Sequence, residues 1–93
     1  MIVLRSAAEI EAIRQAGRIV ALTLEKMKMS VKAGTKTKEL DEMAREEILK
    51  EGGEPAFKDY KGFPGNICTS VNEVVVHGIP SKRQLEDGDI IAI

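Results

Sequence analysis

The chain has 93 residues, enough for one small domain whose folding buries roughly 60 to 65% of the unfolded surface. With 43% hydrophobic and 31% charged residues, its composition is that of a folded protein and excludes intrinsic disorder. The net charge of -1 gives no attraction to nucleic acid, and no apolar stretch is long enough to span a bilayer or form a signal peptide, so neither nucleic acid nor a membrane is expected as a partner.

The first predicted element is a helix that begins after Ser6. Glu9 follows three residues later, which is the spacing of a capping box. A stripe of residues at helical spacing then runs to about Met29, and its members are Ile10, Ile13, Gly17, Val20, Leu24 and Met27. The pattern predicts an amphipathic helix with one buried face.

A second helix is predicted over residues 37–51. Thr37 is a suitable cap, and the adjacent glycines Gly52 and Gly53 readily close a helix and turn the chain. Its apolar stripe consists of Leu40, Met43, Ala44 and Ile48.

The segment from Glu54 to Gly65 carries every aromatic residue of the chain, namely Phe57, Tyr60 and Phe63. Most loops are polar, so three rings at this spacing indicate a loop that lies against something apolar. Two interpretations remain open at this point. The rings either cover a small core or line a substrate pocket.

Strands are predicted in the last third of the chain. Residues 67–71 and 74–77 alternate around a turn at Asn72–Glu73, and the run Ile90–Ile93 reads as a strand buried on both sides. The predicted fold is α+β, with two helices packed on one face of a small antiparallel sheet. Since a domain seldom ends inside a buried strand, we expect residues 1–93 to be a single partial domain, truncated within that strand.

Few residues stand out as carriers of chemistry. His77 is the only histidine, and a lone histidine is more often structural than functional. Without a second histidine or a compact carboxylate pattern, no metal site is predicted. Cys68 is the only cysteine, which excludes an intramolecular disulfide and favours a small apolar filler in a reducing, cytoplasmic compartment.

One motif is more specific. The run Ser70–Pro80, with the sequence SVNEVVVHGIP, closely resembles the signature of type I methionine aminopeptidases. Ala7–Ile10, Glu39–Asp41, Tyr60–Pro64 and Asp87–Ile91 are similar to the family's segments on either side. The resemblance extends over the whole chain but only over the N-terminal part of the family's catalytic domain.

This resemblance implies a fold and an activity. The fold would be the N-terminal half of the pita-bread (creatinase/aminopeptidase) fold, and the family removes the initiator methionine from nascent proteins with two divalent metal ions. His77 would be the catalytic histidine that binds the substrate near the scissile amide without binding metal. The methionine pocket would be lined by Phe57, Tyr60, Phe63 and Cys68. Phe63 stands where the family pattern has tyrosine, so a hydroxyl is missing there.

The resemblance also implies that every metal ligand lies beyond this chain, since the first ligand aspartate follows a run like Ile90–Ile93. We therefore expect no metal and no cofactor in this fragment, and no activity from it alone. A non-enzymatic alternative is a half-fold that forms a homodimer through its exposed sheet edge. A further alternative is a module that complements the missing half in trans.

Overall fold

The computed structural model describes all 93 residues, and its elements follow the predicted order of helices before strands. Helix α1 spans Ala7–Lys28, helix α2 spans Thr37–Lys50, strand β1 spans Ser70–Val71 and strand β2 spans Ile91–Ala92. A single 3-10 turn lies between α2 and β1. The two helices and the two-stranded antiparallel sheet confirm the predicted α+β class. Neither helix has the length and apolarity that crossing a membrane requires.

Helix α1 begins at the predicted capping box. The backbone N–H of Glu9 donates to the hydroxyl of Ser6 at 3.2 Å, and the N–H of Ser6 donates to the Glu9 carboxylate at 2.8 Å. These two bonds satisfy amides that the first turn leaves without partners inside the helix. The helix ends at Lys28, with Met29 as its cap, as predicted.

The prediction of one continuous buried face on α1 is wrong for most of the helix. Only Thr23 and Met27 are buried, and four members of the predicted stripe are 43 to 58% exposed, namely Ile10, Ile13, Val20 and Leu24. Helix α1 has 22 residues and α2 has 14, so α2 is too short to cover the turns that carry Ile10 and Ile13. Val20 and Leu24 lie nearer the C-terminus of α1, but they border an open cavity beside it.

Helix α2 supplies most of the core. Leu40 and Ala44 are fully buried, and they form one cluster with Met27 of α1, Val71 of β1 and Leu85. The helix begins at Thr37, which is its first helical residue rather than the predicted cap, and it ends one residue before the predicted boundary. The predicted glycine closure is confirmed, because Gly52 adopts a left-handed φ of 87°.

The segment after residue 80 docks on the first turn of α2. The hydroxyl of Thr37 donates to the carbonyl of Ser81 at 3.2 Å and accepts the Ser81 N–H at 2.8 Å. The N–H of Lys38 also donates to the Ser81 carbonyl, at 2.9 Å. Amides that usually lack partners at a helix N-terminus are thus paired with the chain that follows the signature run.

The predicted hairpin between residues 67–71 and 74–77 is wrong. Strand β1 pairs with β2 instead, with Ser70 opposite Ala92 and Val71 opposite Ile91. The turn at Asn72 is present, and Asn72 has the left-handed φ of 52° that such a turn favours. Beyond it, however, Asn72 bonds Ile90 through its own N–H at 2.9 Å and through its side-chain oxygen at 3.1 Å. These bonds bring β2, rather than residues 74–77, alongside β1.

Strand β2 is also less enclosed than predicted. Ile91 is only partly buried, and Ile90 and Ile93 are 72% and 41% exposed. A two-stranded sheet has an open edge on each side, so nothing in these 93 residues covers the outer edge of β2.

Asp89 holds the turn before β2 in place. Its carboxylate accepts the side-chain amide of Asn72 and the backbone N–H of Glu86, both at 2.9 Å. These contacts hold the pKa of Asp89 below its usual value. The Asn72 amide has the largest effect, followed by the Glu86 N–H and then the nearby Arg83 charge.

We therefore predict a loss of stability in acid that depends on Asp89. A pKa that is lower in the folded than in the unfolded state adds stability above the unfolded pKa, and this stability is lost as the pH falls through the folded pKa. Urea unfolding at pH 7 and at about pH 3, near the usual aspartate pKa, should show a smaller acid-induced loss in Asp89→Asn. The control Asp87→Asn changes an exposed aspartate of the same turn and should keep the original pH dependence.

Candidate functional site

Three aromatic rings pack on one another in the loop after α2. The ring centroid of Phe57 lies 5.8 Å from that of Tyr60 and 4.8 Å from that of Phe63, the latter edge-to-face. These separations are typical of favourable aromatic pairs. None of the three rings belongs to the buried core cluster or to the partly buried apolar residues packed against it, so they do not serve as its cover.

The loop brings the rings together through a tight backbone turn. Asp59 and Lys61 have left-handed φ values of 64° and 49°, and the N–H of Asp59 donates to the carbonyl of Phe63 at 3.0 Å. The Lys58 ammonium donates to the carbonyl of Pro64 at 3.0 Å. Non-glycine residues in this conformation carry strain, which the surrounding bonds must offset.

His77 completes this cluster from a distant part of the sequence. Its ring centroid lies 5.3 Å from that of Phe57, with a tilt of 57°. The rings and Ile79 border an open cavity of about 280 Å³. An exposed imidazole beside an apolar cavity can offer a hydrogen bond to a ligand whose apolar part packs on the rings.

The backbone around His77 is unusual. His77 has a left-handed φ of 55°, and it does not lie in a strand as predicted. Gly78 follows it and is buried against β1, where its carbonyl accepts the N–H of Thr69 at 2.8 Å and its N–H donates to the hydroxyl of Ser70 at 3.1 Å. The His77 side chain therefore projects from a segment whose end is fixed to the sheet.

Cys68 lies in a neighbouring cavity rather than with His77. This second cavity has a volume of about 340 Å³ and lies between α1 and the segment before β1. Phe57 borders both cavities. Burial raises the pKa of the Cys68 thiol, so the side chain stays protonated and behaves as an apolar group.

A buried carboxylate connects α2 to the aromatic loop and to the segment that carries Cys68. Asp41 of α2 accepts the backbone N–H of Asn66 at 2.7 Å, the side-chain amide of Asn66 at 2.9 Å and the backbone N–H of Ile67 at 3.0 Å. The aromatic loop and the segment that carries Cys68 are thereby fixed to the helix. Sequence patterns give no sign of this role, because an aspartate on a helix usually faces solvent.

We predict that Asp41→Asn lowers the free energy of unfolding by about 2 kcal/mol, because bonds to a charged acceptor contribute roughly 1.5 to 3 kcal/mol each. The amide nitrogen of the new side chain would also face a backbone or side-chain donor. Chemical denaturation measures the loss. The control Glu42→Gln alters the adjacent, exposed carboxylate and should leave the midpoint unchanged, and equal losses in both variants would contradict the prediction.

The structure gives no grouping of three or more histidine, cysteine, aspartate or glutamate side chains with the proximity needed to bind a metal ion.

Of the five residues predicted for the site, the structure brings Phe57, Tyr60, Phe63 and His77 around one cavity and places Cys68 in the next. Sequence reasoning missed Ile79 as a neighbour of His77. It also missed the supporting residues Asp41 and Ser70.

Comparison with known proteins places this geometry in context. The profile of metallopeptidase family M24 matches residues 11–93. The chain is 55% identical to methionine aminopeptidase 1 of Bacillus subtilis over 93 residues, and 50% identical to the methionine aminopeptidase of Clostridium acetobutylicum over 94 residues. The alignment covers 100% of this chain but only 38% of each of these relatives.

Solved structures agree with the sequence matches. The methionine aminopeptidase of Thermotoga maritima superposes with a TM-score of 0.95 at 36% identity, and that of Rickettsia prowazekii with a TM-score of 0.93 at 38% identity. The match covers 98% of this chain and 37% of each of those chains. The similarity thus concerns the N-terminal part of these proteins.

Proposed function

Because this chain belongs to metallopeptidase family M24, we propose that it forms the N-terminal part of a methionine aminopeptidase catalytic domain, which acts on the N-terminal methionine of nascent proteins in the cytoplasm. The observation that carries the proposal is the meeting of His77 with three aromatic rings at one open cavity. Residues 1–93 are then a single partial domain.

In this proposal the aromatic cavity binds the methionine side chain. A thioether is polarizable and packs favourably against aromatic rings, and it is long and flexible enough to enter an irregular apolar cavity. Phe57, Tyr60 and Phe63 provide these rings, and Cys68 extends the apolar surface behind Phe57. A smaller N-terminal side chain would leave much of the cavity without contacts.

His77 has a different task. Its imidazole borders the cavity and is exposed, so it can hydrogen-bond the substrate near the scissile amide while the methionine side chain packs on the rings. A positioned donor stabilises charge that develops on the substrate during hydrolysis. Without a nucleophile, this histidine alone does not cleave the amide.

The nucleophile comes from outside these residues. When bound, two divalent metal ions supply an activated water and polarise the scissile carbonyl in hydrolases of this kind. The carboxylates and the single histidine of this chain do not fit such a centre, because they do not converge on one position. We propose that the ligands of both ions belong to the remaining part of the catalytic domain, and that the 93 residues alone are inactive.

The test combines binding with activity. The chain is titrated with a methionyl tripeptide and with an alanyl tripeptide of the same remaining sequence, while NMR follows the rings of Phe57, Tyr60 and Phe63. We expect ring signals to move with the methionyl peptide only, and no release of methionine when Mn²⁺ or Co²⁺ is added. Equal responses to both peptides would contradict the pocket, and metal-dependent release would contradict the inactivity.

A second candidate is non-enzymatic and rests on the open sheet. Val75 and Ile90 are 86% and 72% exposed and border a shallow groove beside β1 and β2. A second copy that paired with the outer sheet edge would cover this apolar surface and imitate the missing half. Sedimentation equilibrium distinguishes the candidates, since a homodimer supports self-association and a folded monomer supports a fragment that needs the rest of its domain.

A further inference from the structure

Resting on the proposed role of His77, we propose that Ser70 is a positioning residue whose hydroxyl orients His77 through the His77–Gly78 peptide. The bond in question joins the N–H of Gly78 to the Ser70 hydroxyl over 3.1 Å, and it is buried. This N–H belongs to the peptide group that follows His77 directly. A bond to it therefore sets the ψ angle of His77, and with it the direction of the imidazole.

The segment before Gly78 has little else to hold it. The structure gives no hydrogen bond to any backbone or side-chain group of Val75, Val76 or His77. On the N-terminal side, the last bond is the one from the N–H of Val74 to the carbonyl of Val71 at 3.1 Å. The orientation of His77 therefore depends on how its C-terminal neighbour is anchored.

The conformation of His77 needs such an anchor. A left-handed φ of 55° is unfavourable for a residue with a side chain, so it persists only where the surroundings impose it. The imidazole forms no hydrogen bond in the structure, and its one aromatic partner is the Phe57 ring. Ser70 is well placed to impose the conformation, because it is 6% exposed and its backbone is paired with Ala92 in the sheet.

Thr69 offers a matched control at the preceding position. Its side chain is also buried, at 4% exposure, but its hydroxyl has no hydrogen-bond partner. Thr69→Val keeps the shape of the side chain and removes a hydroxyl that bonds nothing. It also leaves the backbone bond from Thr69 to Gly78 intact. Comparing Thr69→Val with Ser70→Ala therefore separates the effect of removing a buried hydroxyl from the effect of breaking the bond between Ser70 and Gly78.

The test is NMR of the 93-residue chain, in which His77 gives the only imidazole signals. We expect cross-relaxation between the ring protons of His77 and Phe57 in the original chain. These cross-peaks should be lost in Ser70→Ala, restored in Ser70→Thr and unchanged in Thr69→Val. Circular dichroism on each sample reports whether the helices persist.

Each other result overturns the proposal. Cross-peaks that persist in Ser70→Ala would show that Phe57 alone holds the ring, and global unfolding of Ser70→Ala would give Ser70 a general structural role instead. In the original chain, a Gly78 amide that exchanges with solvent as fast as that of His77 would exclude the proposed bond. These measurements use neither substrate nor metal, so they can fail or succeed independently of the proposed activity.

Discussion

Leu40→Ala should lower the free energy of unfolding by about 3 kcal/mol, since deleting a fully buried leucine costs both its transfer energy and the cavity that remains. Leu40 has no exposed surface and is one of only five buried apolar residues that form the core. Urea denaturation followed by circular dichroism measures the effect.

The control lies on the same helix. Leu49 is 43% exposed, so Leu49→Ala removes the same atoms from a largely solvated position and should change the stability by less than about 1 kcal/mol. A loss for Leu49→Ala as large as that for Leu40→Ala would show that the core does not lie where the structure places it.

Gly78→Ala should lower the free energy of unfolding by as much as Leu40→Ala, but by a different mechanism. A methyl group on Gly78 would overlap the carbonyl oxygen of Thr69 and would stand 2.8 Å from the Cα of Ser70. These obstacles are backbone atoms of and beside β1, which cannot rotate away. We expect a loss of about 3 kcal/mol, at the upper end of overpacking costs, together with disorder around His77.

Gly17→Ala is the matched substitution with the opposite expected sign. Gly17 lies inside α1, and an added methyl group there meets nothing within 4 Å. Alanine should stabilise this helical position by roughly 0.5 to 1 kcal/mol. Both variants add the same methyl group, so the difference between their thermal unfolding midpoints reports how the surroundings of each glycine affect stability. A neutral Gly78→Ala would contradict the close approach of residue 78 to β1.

Local signals predicted the helices well. The capping box at Ser6 and the glycines after α2 act within a few residues, so the sequence alone contains their partners. The buried face of α1 was mispredicted for a related reason. Periodicity identifies the apolar side of a helix but says nothing of whether another element covers it, and most of this side of α1 is left uncovered.

Strand pairing could not be predicted in the same way. The alternation of residues 67–77 is compatible with a hairpin, whereas the observed pairing with β2 is accompanied by bonds from Asn72 to Asp89 and Ile90, 17 and 18 residues away. Likewise, periodicity and composition did not place Phe57 against His77. The resemblance to the aminopeptidases supplied that grouping, and it also assigned Cys68 to the same pocket, whereas the structure places Cys68 in the adjacent cavity.

The docking of Ser81 on Thr37 has a consequence for the order of assembly. Helices form from neighbouring residues within about a microsecond, whereas contacts between distant residues must first close a loop. The contact of Asp41 with Asn66 spans 25 residues, and that of Thr37 with Ser81 spans 44. The larger loop is closed by the segment after Pro80, so we expect this segment to become ordered late and to be among the first parts released when the molecule opens.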